Sequence, residues 1–153
     1  LGASRYLPCL RNPAPIRHET VQVRLTIIAT HDLYYVVVED PLPAGAEAID
    51  TSLATTSVLE TEPGLTPQTG EERGWWAPWA WWWWRWYSRS EMRDERAVLF
   101  ADYLPAGTYT YQYTIRATQP GEYRVIPTSA REFYFPEVFG RGDGGLFTVT
   151  ETP

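Results

Sequence analysis

The sequence predicts an all-β domain: an antiparallel, immunoglobulin-like β-sandwich of about 7–9 strands carrying a tryptophan-rich insertion. Three observations predict it. Apolar residues recur at every second position in several short runs, the period of a strand with one buried face. Turn chemistry separates the runs: Leu-Pro-Ala-Gly stands at 42–45 and again at 104–107, and Gln-Pro-Gly at 119–121. No stretch makes a convincing amphipathic helix (Trp75, Trp79, Trp82, Trp83 and Trp86 fit a helical stripe, but Pro78 sits near its start), and the turn signals come close together, as in a sandwich. Two copies of one turn are too few to make a repeat protein.

Residues 1–19 hold three prolines and no clean period. They read as a lead-in or linker from a preceding domain. The sandwich then occupies 20–150 as a single domain with an insertion at about 51–90. Val21, Val23, Leu25, Ile27 and Ala29 alternate with polar residues and form the first strand. Leu33–Val38 is apolar on both faces, which predicts a central strand covered on two sides. Pro41 and Pro43 cannot donate to a ladder, and Gly45 completes the turn that ends it. Ala46–Ile49 reads as a short strand. Residues 50–74 are rich in Thr, Glu, Pro and Gly and read as a long loop flanking an insertion. All eight tryptophans fall in 74–89.

The stretch 97–128 is the clearest part of the chain. Ala97–Tyr103 is one strand. Tyr109, Tyr111, Tyr113 and Ile115 form the buried face of the next, opposite Thr110, Gln112, Thr114 and Arg116. A third apolar run follows Gln119-Pro120-Gly121. With its turns written in, the stretch predicts an antiparallel meander. Glu132–Pro136 reads as a further strand ended by proline. Pro136–Gly145 is a glycine-dense loop, and Leu146–Val149 a last strand.

Composition narrows the function classes. The chain has 153 residues and 44% apolar content, enough for one domain with a real core. Net charge is −6 and no Arg-rich run exists, so the footprint of a nucleic-acid-binding protein is missing. All thirteen cationic residues are arginine. Cys9 is the single cysteine, which leaves no internal disulfide and no cysteine-based metal site. No apolar run reaches the ~18 residues of a membrane-spanning helix. The start at Leu1 suggests a fragment of a longer protein, with any targeting signal outside it.

The strongest anomaly is Trp75, Trp76, Trp79, Trp81, Trp82, Trp83, Trp84 and Trp86, interrupted by Arg85. Each indole can bury roughly 150–250 Å², far more in sum than a monomer leaves exposed. The cluster is therefore expected to be covered, and it is the candidate interaction surface. An insertion folded back on its own or a neighbouring domain is the first reading. Protein docking comes second. A carbohydrate platform and membrane-interface contact, for which Arg85 and Arg89 would be suitable anchors, come last. Gly140–Gly145 matches G-x-G-x-x-G by letter, but no helix is expected after it, so a dinucleotide phosphate would find no N-terminus. The same loop holds Arg141-Gly142-Asp143, a weak adhesion tripeptide. His18 and His31 lack zinc spacing. Asp94, Glu95 and Asp102 lack calcium-loop spacing. No nucleophile elbow appears. No catalytic, cofactor-binding or metal-ligating residue is therefore expected, and no cofactor.

Three segments together resemble one known family. They are LTIIATHDLYYVVVEDPLPAGAEAID, MRDERAVLFADYLPAGTYTYQYTIRATQPGEYRVIP and FYFPEVFGRGDGGLFTV. The family is the C-terminal macroglobulin-like (MG10-type) domain of bacterial alpha-2-macroglobulin proteins, and the resemblance covers roughly 20–50 and 91–150. It implies a macroglobulin-like sandwich within a large protease-inhibiting protein that is extracellular, periplasmic or attached to the cell envelope. It implies no catalytic residue, and partners that are other domains of the parent chain and the proteases the parent traps. The family's Cys-Gly-Glu-Gln thioester motif is absent: Cys9 is followed by Leu10-Arg11-Asn12. An adhesin-like or carbohydrate-binding sandwich using the tryptophans is the alternative.

Overall fold

A computed structural model describes residues 1–6, 14, 16–49, 65–67 and 88–151. Twelve strands form within them, and no helix. In order they are β1 (Gly2–Tyr6), β2 (Thr20–Ala29), β3 (Leu33–Pro41), β4 (Ala46–Ile49), β5 (Leu65–Pro67) and β6 (Ser88–Met92). Then follow β7 (Arg96–Leu104), β8 (Gly107–Ala117), β9 (Gly121–Val125), β10 (Ser129–Glu132), β11 (Phe139–Arg141) and β12 (Gly145–Val149).

Two five-stranded antiparallel sheets carry the fold. In the first, β1-β2-β8-β4 run in order, with β5 also on β8. In the second the order is β11-β10-β3-β7-β6. A smaller ladder joins β12 to β9. Period-two patterning dictates which residues face inward. In β2 and β8 the inward rungs are Val23↔Tyr113, Leu25↔Tyr111 and Ile27↔Tyr109. Each such aromatic–aliphatic pair adds roughly 0.2–1 kcal/mol beyond alanine. The second sheet faces them with Val36↔Ala101 and Val38↔Leu99, and Ala130 beside Val38. Phe147, Val149 and Val125 close the core from the smaller ladder. Tyr111, Phe147, Leu25, Ile27 and Ile115 are fully buried, and burying side chains of this size stabilises by about 1.5–3 kcal/mol each.

The sandwich and the buried tyrosine face of β8 agree with the sequence; the two-sided cover expected over Leu33–Val38 holds for Val36–Val38, while Tyr34 and Tyr35 are exposed. Three expectations are corrected. The first is the meander: β7 pairs with β3, β8 with β2 and β9 with β12. The 104–107 turn therefore carries the chain from one sheet to the other instead of closing a hairpin. A turn within a sheet and a turn between sheets use the same Pro and Gly chemistry, so local sequence does not tell them apart. The second is the strand at Glu132–Pro136. The strand is β10, and it ends at Glu132. The Phe133 N–H makes a last bond to the Tyr35 carbonyl, 2.8 Å, and the Val138 N–H closes a turn on the Phe135 carbonyl, 2.9 Å. Pro136 has no N–H to continue a ladder. The third concerns the stretches read as lead-in and loop. Gly2–Tyr6 pairs along β2, Leu65–Pro67 pairs along β8, and Phe139–Arg141 pairs with β10.

Candidate interaction surface

The two outer faces of the sandwich differ in chemistry. On the β2–β8 face the outward rungs are Gln22↔Thr114, Arg24↔Gln112 and Thr26↔Thr110. These are hydroxyls, amides and a guanidinium; of them Thr110 is buried although it points outward. On the β3–β7–β10 face, Val37 and Val98 point outward yet are buried, outside the core cluster. Their ladder neighbours include Arg131, Phe100 and Glu39. Arginine stems can cover such apolar surface while their charged heads stay wet.

One end of that second sheet gathers exposed aromatic rings. Tyr34, Tyr35, Phe133, Tyr134 and Phe135 are each more than half exposed. Tyr34 packs on Tyr103 with ring centroids 5.1 Å apart. Tyr134 meets Tyr35 edge to face at 5.1 Å and Phe133 at 5.3 Å. A kink in β3 creates the arrangement. Tyr35 has a φ of 52°, a left-handed conformation that a bulky residue adopts only with strain. Between the rungs Tyr34↔Tyr103 and Val36↔Ala101 the ladder skips Tyr35, so Tyr34 and Tyr35 both face solvent while Leu33 and Val36 face the core. The Tyr34 N–H is held by the Glu132 carboxylate at 2.7 Å, and this fixes the Phe133–Phe135 turn against the kink.

Carboxylates pin the rest of the frame. Asp32 accepts from the Ala106 N–H at 2.9 Å and from the Tyr103 hydroxyl at 2.8 Å. It thereby ties the turn after β2 to the turn after β7. These bonds, the Ala106 N–H foremost, hold its carboxyl below the ordinary value, and they push the Tyr103 hydroxyl up. Glu39 receives Arg131 at 2.5 Å and Arg96 at 3.1 Å. The Arg131 hydrogen bond is the largest cause holding the Glu39 carboxyl below its ordinary pKa. Inside the core, Asp40 is fully buried. It accepts from the Tyr113 hydroxyl at 2.5 Å and the Thr128 hydroxyl at 2.6 Å. Asp40 lies on β3 and Tyr113 on β8, so this bond crosses the sandwich from sheet to sheet.

The residues singled out by sequence fall elsewhere. The eight tryptophans, Trp75, Trp76, Trp79, Trp81, Trp82, Trp83, Trp84 and Trp86, and Arg85 lie outside the described residues. The chain enters that segment from β5, on the edge of the first sheet, and leaves it into β6, on the edge of the second. His18 sits in a turn with its N–H on the Ala117 carbonyl, and His31 is exposed beside Thr30. Gly140–Gly145 joins β11 to β12 with no helix between. Among the described residues no group of three or more His, Cys, Asp or Glu converges on a point that could hold a metal. The aromatic end went unread as a surface in the sequence. Its signal was there in Tyr34-Tyr35 and Phe133-Tyr134-Phe135, consecutive aromatics that no strand can turn to one face.

Comparison with known proteins places this geometry among relatives. The family model described as Bacterial Alpha-2-macroglobulin MG10 domain matches residues 16–137. An alpha-2-macroglobulin homolog of Nostoc sp. is 29% identical over 123 residues, covering 80% of this chain and 6% of its own length. Among solved structures, Escherichia coli alpha-2-macroglobulin activated by porcine elastase aligns with a TM-score of 0.70 and 23% identity, over 97% of this chain and 13% of that one. Salmonella alpha-2-macroglobulin reacted with methylamine aligns with a TM-score of 0.67 and 24% identity, over 97% and 9%. This chain thus spans a small fraction of the length of each relative.

Proposed function

The chain belongs to the bacterial alpha-2-macroglobulin MG10 domain family, and from that premise we propose that it is a non-catalytic packing domain of a longer, protease-inhibiting macroglobulin polypeptide. Its organisation as one sandwich, interrupted at about 51–90 and with Gly2–Tyr6 as an edge strand of its first sheet, is part of the proposal. So is a location in the cell envelope or outside the cell. The observation that carries the reading is the exposed aromatic end of the β3–β7–β10 sheet. A contiguous apolar patch of this kind marks a surface that meets another macromolecule, and aromatic rings are enriched at the centre of such contacts. The relatives supply the partner: in chains ten times longer or so, the nearest available surfaces belong to other domains of the same polypeptide.

Trp75–Trp86, with Arg85, is proposed as a second contact surface. Both ends of that segment are tied to the same side of the sandwich, through β5 and β6.

Hydroxyl-radical footprinting tests the packing role. Tyr34, Tyr134 and Phe135 should label several-fold more slowly within the longer polypeptide than in the isolated 153-residue chain. Equal labelling in both would remove the support for packing at this end. If tryptophan emission of the isolated chain shifts on adding a glycan, the carbohydrate-binding alternative gains instead.

A further inference from the structure

Across the second sheet, from Arg96 on β7 to Arg141 on β11, lies a shallow open groove of about 430 Å³, within the size range of ligand sites. Its basic lining is Arg96, Arg131 and Arg141, its one acidic residue is Glu39, and Ile126 and Phe139 are among its apolar lining. Three guanidinium groups thus face one carboxylate in a chain whose net charge is −6. Glu39 is already bridged by Arg96 and Arg131. Among the described residues no carboxylate pairs with Arg141. Glu137 and Asp143 stand on adjoining turns but do not line the groove, and Glu95 reaches Arg96 only at 3.9 Å. Ile126 and Phe139 are each more than half exposed.

We propose that this groove binds an extended acidic peptide segment, with its carboxylates on Arg141 and Arg131 and its apolar side chains against Ile126 and Phe139. Three features select this ligand. Guanidinium forks match carboxylates two bonds at a time. Apolar residues beside the arginines reward a ligand that alternates charge with hydrophobic side chains, as an extended peptide does. A polyanionic glycan or nucleic acid would gain little from Ile126 and Phe139. The site is separate from the packing surface proposed above, and either can fail without the other.

The probe is a fluorescein-labelled peptide of alternating Glu and Ile, titrated into the 153-residue chain and followed by anisotropy. The acidic peptide should bind, and binding should weaken several-fold as the ionic strength rises and the Debye length shrinks to about 8 Å. Arg141→Glu and Phe139→Ser should each weaken it about tenfold. Arg24→Glu, on the outer face of the other sheet, should leave it unchanged. Both altered groove side chains are exposed, and far-UV circular dichroism checks that the variants fold. Arg141→Gln, which keeps a donor, should fall between wild type and Arg141→Glu. The inference is overturned if a Lys/Ile peptide binds equally well, if neither groove variant changes the affinity, or if no peptide binds. Heparin binding more tightly than the peptide, with Phe139→Ser silent, would overturn it in favour of a sulfated glycan.

Discussion

Asp40 is a carboxylate with no exposed surface in the middle of a β-sandwich. Burying such a group is tolerated only when its oxygens are matched, and Tyr113 and Thr128 supply donors from two other segments. Asp40→Ala strands both hydroxyls in the core and should cost about 3 kcal/mol, read from urea unfolding. Tyr113→Phe should cost about 1.5 kcal/mol. The double variant should cost less than the sum, because the two changes remove one shared bond. Asp32 and Glu39 give the acid response. Their folded pKa values lie below the ordinary 3.8 and 4.5. Their stabilising contribution is therefore complete above those unfolded values and disappears as pH falls through the lower folded ones. The urea midpoint should decline below pH ~4.5. In the double variant Asp32→Asn, Glu39→Gln the decline should be shallower. An unchanged slope would mean that other carboxylates dominate.

Two elements carry unusual backbone requirements. In β3, Tyr35 holds a left-handed conformation that β-branched residues tolerate worst. In an ordinary strand Val outperforms Gly by up to about 1 kcal/mol. At position 35 the order should reverse, with Tyr35→Gly more stable than Tyr35→Val in thermal unfolding. The usual order would mean that this kink is not strained. The other element is the turn that leads into β4. A Cβ on Gly45 would stand 2.0 Å from the Tyr123 ring, and the Gly45 carbonyl accepts the Thr118 N–H at 2.8 Å. Gly45→Ala must push Tyr123 aside and disturb the β9–β12 ladder. Overpacking of this kind costs typically 1–3 kcal/mol, and the melting temperature should fall accordingly. At Gly140 the obstacle is backbone, the Leu1 carbonyl oxygen at 2.2 Å, so the start of the chain lies directly over β11.

At the scale of the whole molecule, most ladders join segments distant in sequence. β2 finds β8, β3 finds β7 and β10, and β9 finds β12. Among the described residues, only β6–β7 and β10–β11 pair as close neighbours along the chain. Loop-closure entropy must be overcome before such contacts form, so folding should take milliseconds to seconds. A slower fraction should reflect isomerisation among the thirteen prolines. Stopped-flow refolding that finished within microseconds would contradict this topology. The two outer faces also divide the molecule's work. A face of Thr, Gln and Arg lies on one side, and a face of buried valines, bridged arginines and terminal aromatics on the other.

Features that depend on near neighbours were legible along the chain. Alternation in Val21–Ala29 and Tyr109–Ile115 specified the strands and their buried faces, since period two requires no knowledge of the partner. Proline and glycine located the turns for the same reason, and the quoted segments already carried the family resemblance. Strand pairing and the convergence of distant side chains emerged with the folded core. The 104–107 turn reads as a hairpin until β7 and β8 are seen in different sheets. Asp40 reads as the end of a strand until Tyr113, 73 positions away in sequence, meets it across the core. Phe133–Phe135 reads as a strand until Pro136 and the Tyr35 kink turn its rings outward beside Tyr34. Arg96, Arg131 and Arg141 are scattered letters until three strands bring them to one groove. The physical reason is the same in each case: strand and turn preferences are local energies, whereas partner choice is set by the burial of the whole core.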